Sequence, residues 1–113
     1  MVGISAHVLD TARGRPASQL SVLLDRLDGH EPFRNLSTQI TNQDGRVSDL
    51  LQGAPLSPGI YRVVFETEAY FVATQQAVFY PRVEVVFQVR ASDEHYHIPL
   101  LLSPYGYSTY RGS

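Results

Sequence analysis

An all-β sandwich is the fold class this sequence predicts, and two observations carry that prediction. Short runs rich in β-branched, aromatic and aliphatic residues recur along the chain. Turn signals punctuate them at regular intervals: Arg13-Gly14-Arg15-Pro16, Asp28-Gly29, Asp44-Gly45, Ser57-Pro58-Gly59 and Ser103-Pro104. With 113 residues the chain is one domain, residues 1–113, with room for one core and none for a separate substrate domain. A deep active-site cleft is therefore expected to need a second subunit. No internal repeat, low-complexity tract or linker interrupts the pattern.

The first strand is expected over Val2 to Asp10, where alternation puts Ile4, Ala6 and Val8 on one face and Ser5, His7 and Leu9 on the other. Further strands are expected near Ser21 to Leu27, Phe33 to Thr41 and Gly59 to Glu66. Arg46 follows the tight-turn pair Asp44-Gly45, so it should begin a strand and not sit at a loop tip. Thr67 to Gln76 reads as one short helix, capped by Thr67, with Glu66 and Glu68 at its start and Ala69, Tyr70, Val72 and Ala73 sharing a side. Strands then follow near Val83 to Arg90, His95 to Leu102 and Tyr105 to Arg111. In the penultimate one His95, His97, Pro99 and Leu101 form one row and Tyr96, Ile98, Leu100 and Leu102 the other. In the last, Ser108 and Tyr110 share a face opposite Tyr107, Thr109 and Arg111.

Composition removes several function classes. Lys+Arg number 9 against 11 Asp+Glu, a formal charge of -2, so the basic excess that binds phosphate backbones is missing and nucleic acid is not an expected partner. Every one of those basic residues is Arg, which rules out Schiff-base chemistry and lysine-based phosphate loops. Cysteine is absent, excluding thiol catalysis, disulfides and thiolate zinc sites while leaving the compartment open. The start, Met1 to His7, has neither a basic leader nor a long apolar run, and no stretch approaches membrane-spanning length, so a cytoplasmic protein without membrane contact is the expectation.

The polar residues that remain are few. His7 stands on the mixed face of the first strand and needs solvent or a polar partner; taken alone, it reads as a surface histidine. His95 and His97 project to one side and could chelate a metal, but no third ligand is evident, so neither metal nor cofactor is expected. Arg46 alone reads as an exposed ion-pairing residue, although its planar fork of donors suits an anionic heterocycle with adjacent carbonyl oxygens. A serine nucleophile at Ser108 is not supported, because Gly106-Tyr107-Ser108-Thr109-Tyr110 lacks the second glycine of a nucleophile elbow. Asp and Glu are scattered through turns, with no pair placed for acid–base work.

Several segments, taken in order, carry a specific resemblance: His7-Val8-Leu9-Asp10, Gly14 and Pro16-Ala17, Asp44-Gly45-Arg46, Pro58-Gly59-Ile60-Tyr61, Tyr80-Pro81 before Val83-Glu84-Val85, and the terminal run from His95 to Tyr110-Arg111-Gly112-Ser113. Across nearly its whole length the chain resembles the 5-hydroxyisourate hydrolases, the transthyretin-like enzymes of urate breakdown. The resemblance implies a transthyretin-like sandwich of seven to eight strands with one short helix, in which the first and last two strands share a sheet. It implies a homotetramer, a dimer of dimers, with sites where dimers meet. The implied reaction adds water at the carbonyl between N1 and C5 of 5-hydroxyisourate, opening the six-membered ring to 2-oxo-4-hydroxy-4-carboxy-5-ureidoimidazoline.

By the same resemblance His7, Arg46 and His97 are catalytic, and His95 lies nearer the rim. Ser108, Tyr110, Arg111 and Ser113 join His7 and Arg46 in binding substrate, with Gly112 helping to shape the pocket. Two rivals share the fold: a transthyretin-type carrier of an aromatic ligand, and an immunoglobulin-like interaction module. Neither calls for two histidines, Arg46 and the terminal tetrapeptide in one groove.

Overall fold

The computed structural model describes residues 2–113, and Met1 lies outside the described residues. Nine strands and one helix follow in the order β1 (Gly3–Asp10), β2 (Arg15–Pro16), β3 (Ser21–Leu27), β4 (Arg34–Ile40), β5 (Arg46–Val47), β6 (Gly59–Phe65), α1 (Thr67–Ala73), β7 (Val83–Val89), β8 (His95–Ser103) and β9 (Gly106–Thr109). Two sheets face each other: β2-β1-β8-β9, with β5 also on β1, and β4-β3-β6-β7. Six strands run to seven residues or more and β9 to four, and these are the seven that the sequence pattern predicts. The two additions, β2 and β5, are two residues each and cover different parts of one edge of β1.

Period-2 alternation builds the core. Ile4, Ala6 and Val8 of β1 and Ile98, Leu100 and Leu102 of β8 turn inward to meet Val22 and Leu24 of β3 and Tyr61, Val63 and Phe65 of β6. Each of the larger side chains contributes on the order of 1.5–3 kcal/mol by leaving water. The alternate residues of β1 and β8 are thereby committed to the outer face, which brings Ser5 and His7 into one surface with His95 and His97.

Three details differ from the sequence expectation. Thr67 does not cap α1: Glu66 holds the cap position without a side-chain hydrogen bond, and the Thr67 hydroxyl donates instead to the Tyr80 carbonyl at 2.6 Å. The helix buries Thr67, Tyr70 and Phe71 and leaves Val72 63% exposed, because two turns docked through Tyr70 and Phe71 set the rotation that alternation alone could not. Finally, β9 ends at Thr109, short of Arg111. Pro99 has no N–H to give, so the ladder breaks near it. The Thr109 hydroxyl donates to the Pro99 carbonyl at 2.7 Å, and the backbone pairs with β8 again where the Gly112 N–H donates to the His97 carbonyl at 2.9 Å.

Candidate active site

The outer face of the β1–β8 pair carries the site. These strands run parallel with Ser5 opposite His97 and Gly3 opposite His95, while β5 pairs antiparallel to β1 with Arg46 opposite His7. Delivery of Arg46 depends on Gly45, whose φ is +74°. A Cβ there would collide with the Val8 carbonyl and press on Pro16, so only glycine lets the 42–45 turn lie this close to β1. The Asn42 side chain accepts from the N–H groups of Asp44 and Arg46 and fixes the turn. Among the described residues the Arg46 side chain is exposed and hydrogen-bonds to no protein group, so its donors are available to a ligand.

Ser5, Ala6, Arg46, Val47, Ser48, His95, His97 and Ser113 line a cleft of about 240 Å³. His7 borders it, its ring centroid 6.4 Å from that of His97. The His7 Nε2–H donates to the Asp44 carbonyl at 2.9 Å. Since a carbonyl only accepts, neutral His7 carries its proton on Nε2 and leaves Nδ1 bare. The Ser5 hydroxyl, buried beneath the other two imidazoles, lies 2.8 Å from His95 Nε2 and 2.7 Å from His97 Nδ1. Among the described residues, the buried His95 Nδ1 has no hydrogen-bond partner.

Burial, reinforced by the Arg46 guanidinium, holds His7 below the usual imidazole range. His97 is lowered by the same two causes in the same order, with further repulsion from His7 and His95. Both rings are thus neutral near pH 7 and free to handle protons. Among the described residues no three His, Cys, Asp or Glu side chains are grouped to hold a metal ion.

The predicted site residues divide. His7, Arg46, His97 and Ser113 come together in one subunit. Ser108 is exposed on the same sheet but pairs with Leu101, roughly 13 Å along β8 from His97 at the usual strand rise. Tyr110 and Arg111 line a different opening, beside Val85, Phe87, Gln88, Tyr96, Ile98 and Thr109. There Arg111 lies over the Tyr96 ring at 4.4 Å and pairs with Glu94 at 2.8 Å. These contacts hold the Arg111 side chain beside Tyr96 and Glu94, in an opening whose lining does not include His97. Gly112, by contrast, reaches the site: a Cβ there would come within 2.5 Å of His97 Cδ2 and 3.2 Å of Pro99 Cγ, so its bare backbone forms a wall against the imidazole. Ser5 and its double contact are what sequence reasoning missed; its place two residues before His7 on the same face was the available signal.

A model of the HIUase/Transthyretin family matches residues 4–112. The chain belongs to that family. It is 46% identical to the 5-hydroxyisourate hydrolase of Mus musculus over 97% of its own length and 94% of the mouse chain. Among solved structures it superposes on Klebsiella pneumoniae 5-hydroxyisourate hydrolase with a TM-score of 0.86 at 34% identity, covering 100% of both chains. Transthyretin from Sparus aurata gives a TM-score of 0.90 at 29% identity, covering 99% of this chain and 97% of that one. Hydrolases and transthyretins fit this backbone equally well, so the fold by itself does not separate them; the side chains in the cleft have to.

Proposed function

We propose that the cleft hydrolyses 5-hydroxyisourate, opening its ring by addition of water. The observation that carries this reading is the meeting of His7, His97 and the unpaired Arg46 guanidinium on one sheet face. Two imidazoles that are neutral near pH 7 supply groups to take a proton from water and to serve the departing ring nitrogen. Arg46 supplies a planar fork of donors for the oxygen on which negative charge develops. Near-full-length identity to relatives bearing this activity supports the same reading. An aromatic carrier would be better served by an apolar channel than by a wall of His, Arg and Ser.

A homotetramer with sites at the dimer–dimer interface is part of the proposal. Its support is the size of the cleft: about 240 Å³ falls below the roughly 300–1,000 Å³ usual for ligand sites, so a second copy laid over this face would complete the enclosure. In such an assembly Ser108 and Tyr110 would have their role in substrate binding through a neighbouring subunit.

The test is to generate 5-hydroxyisourate in place and follow its ultraviolet absorbance with and without the protein. Accelerated decay is the expected result. Decay at the spontaneous rate, together with tight binding of an aromatic probe, would replace the hydrolase by a carrier.

A further inference from the structure

The hydroxyl of Ser5 sits between two ring nitrogens, 2.8 Å from His95 Nε2 and 2.7 Å from His97 Nδ1. A hydroxyl has one proton, so it can give to only one of them and then receives from the other. With both rings neutral, two arrangements pair that proton with a ring nitrogen; a third, in which both rings donate to Ser5, would strand the hydroxyl proton in this buried site, where no other acceptor is found among the described residues. In one of the two, His97 donates from Nδ1 to Ser5 and Ser5 donates to His95 Nε2. That forces the His95 proton onto Nδ1, which is buried and has no acceptor among the described residues. In the other, His95 donates from Nε2 to Ser5, and Ser5 donates to His97 Nδ1. His95 Nδ1 is then bare and His97 carries its proton on Nε2.

The second arrangement is favoured twice over. It strands no N–H donor in a buried site, and it places both rings in the Nε2–H form that free histidine already prefers. We infer that Ser5 is a positioning residue that locks His97 in the Nε2–H tautomer, so that His97 meets the substrate as a neutral hydrogen-bond donor and His7 is the histidine that accepts the proton of water. His7 fits that part because its Nε2 is engaged with the Asp44 carbonyl, leaving Nδ1 bare. Neutral His97 presents its N–H to the developing oxyanion without changing charge, and His7, having taken the proton of water, passes it to the departing ring nitrogen. The two histidines flanking Arg46 thus have different tasks, set by different second partners: a backbone carbonyl for His7 and a hydroxyl for His97.

The division of labour rests on the hydrolase reading, but the tautomer lock itself is measurable without substrate. Long-range proton–nitrogen correlation spectra of uniformly ¹⁵N-labelled protein near neutral pH should show His7, His95 and His97 all as Nε2–H tautomers. Ser5→Ala should leave His97 with a mixture of both tautomers and lower kcat about tenfold, as for one oriented hydrogen bond, with KM within about twofold. Ser5→Thr, which keeps the hydroxyl, should restore both spectrum and rate. A wild-type spectrum with the His97 proton on Nδ1 would overturn the inference, and this reading needs no variant to fold. An unchanged His97 tautomer and rate in Ser5→Ala would overturn it as well. The expected spectrum in a protein that does not speed 5-hydroxyisourate decay would sink the hydrolase reading instead, leaving the lock standing.

Discussion

The two ends of strand β1 each carry a polar cluster, and the clusters are built on opposite terms. At the C-terminal end Asp10 is almost fully buried and every near neighbour answers it. Tyr70 donates at 2.6 Å, Gln76 at 2.9 Å and the Arg13 backbone N–H at 3.0 Å. Burial alone would raise the carboxyl, but these donors more than offset it and hold Asp10 below the ordinary carboxylate value. Burial and the Asp10 bond together push the Tyr70 hydroxyl up to about 12. Near the other end, Ser5 and His7 meet His95, His97 and Arg46, where donors and acceptors do not balance: one imidazole nitrogen is orphaned and one guanidinium has no acceptor. A saturated cluster spends its polar groups on the fold, whereas an unsaturated one keeps them for a ligand.

Substitutions at the two ends should separate these roles. His7→Asn and His97→Asn are each expected to lower kcat by about 10²-fold or more while leaving the melting temperature nearly unchanged. Asp10→Ala should do the reverse. Stranding the Tyr70 hydroxyl and the Gln76 amide inside the protein should cost about 2–4 kcal/mol, seen in urea unfolding, with normal turnover per folded molecule. An Asp10 variant of full stability, or a histidine variant that unfolds, would collapse the distinction. Arg46→Lys should lower kcat/KM roughly 10- to 100-fold, since a point charge cannot reproduce the guanidinium fork, and steady-state kinetics would show it without a change in unfolding.

Acid should act on the two ends in different windows. His7 and His97 have folded values below the ordinary 6.5, so the folded state holds fewer protons than the unfolded one as pH falls past 6.5. Their share of stability is complete above that value and is lost as pH drops through the lowered pKa values, and kcat/KM should fall on the same limb as the base becomes protonated. Asp10, lowered from 3.8, contributes fully above that value and is lost only as pH falls through its own depressed pKa. Activity should therefore fail well before the Asp10 end gives way; coincident midpoints in a pH series of turnover and melting would contradict this. The smallest effect is expected from Gly112→Ala, whose methyl group would press on His97 and tilt the ring from Ser5, a few-fold loss in kcat with the melting temperature held.

The seven expected strands were legible because six of them span seven or more residues and β9, of four, follows the clear Ser103-Pro104 turn, and the inward and outward rows of β1 and β8 follow directly from alternation. Two-residue strands have no period to read. Arg15–Pro16 was invisible for that reason, and Arg46 was placed at a strand start only through the Asp44-Gly45 turn. The rotation of α1 was misread because seven residues give too short a stripe, and Thr67 was taken for a cap when the Tyr80 carbonyl competes for its hydroxyl. In the site, the histidines and Arg46 were visible as residue types. The Ser5 contacts and the Asp10–Tyr70 bond were not, since they join positions 90, 92 and 60 residues apart whose register exists only once the sheets are formed. The opening beside Arg111 follows from the interruption at Pro99, which no local pattern in the tail reveals.

That β1 and β8 run parallel has a consequence for how the molecule comes into being. Antiparallel neighbours can be closed by a hairpin, but parallel ones must wait for the chain between them. Here that chain contains the whole second sheet and the helix. Joining Ser5 to His97 therefore requires an entropically expensive long-range closure, of the kind that slows folding and comes late. No fragment that lacks either end of the polypeptide can assemble this cleft, and on refolding, turnover should return only when this pairing closes, so that a catalytically competent molecule is one in which β1 and β8 have already found each other.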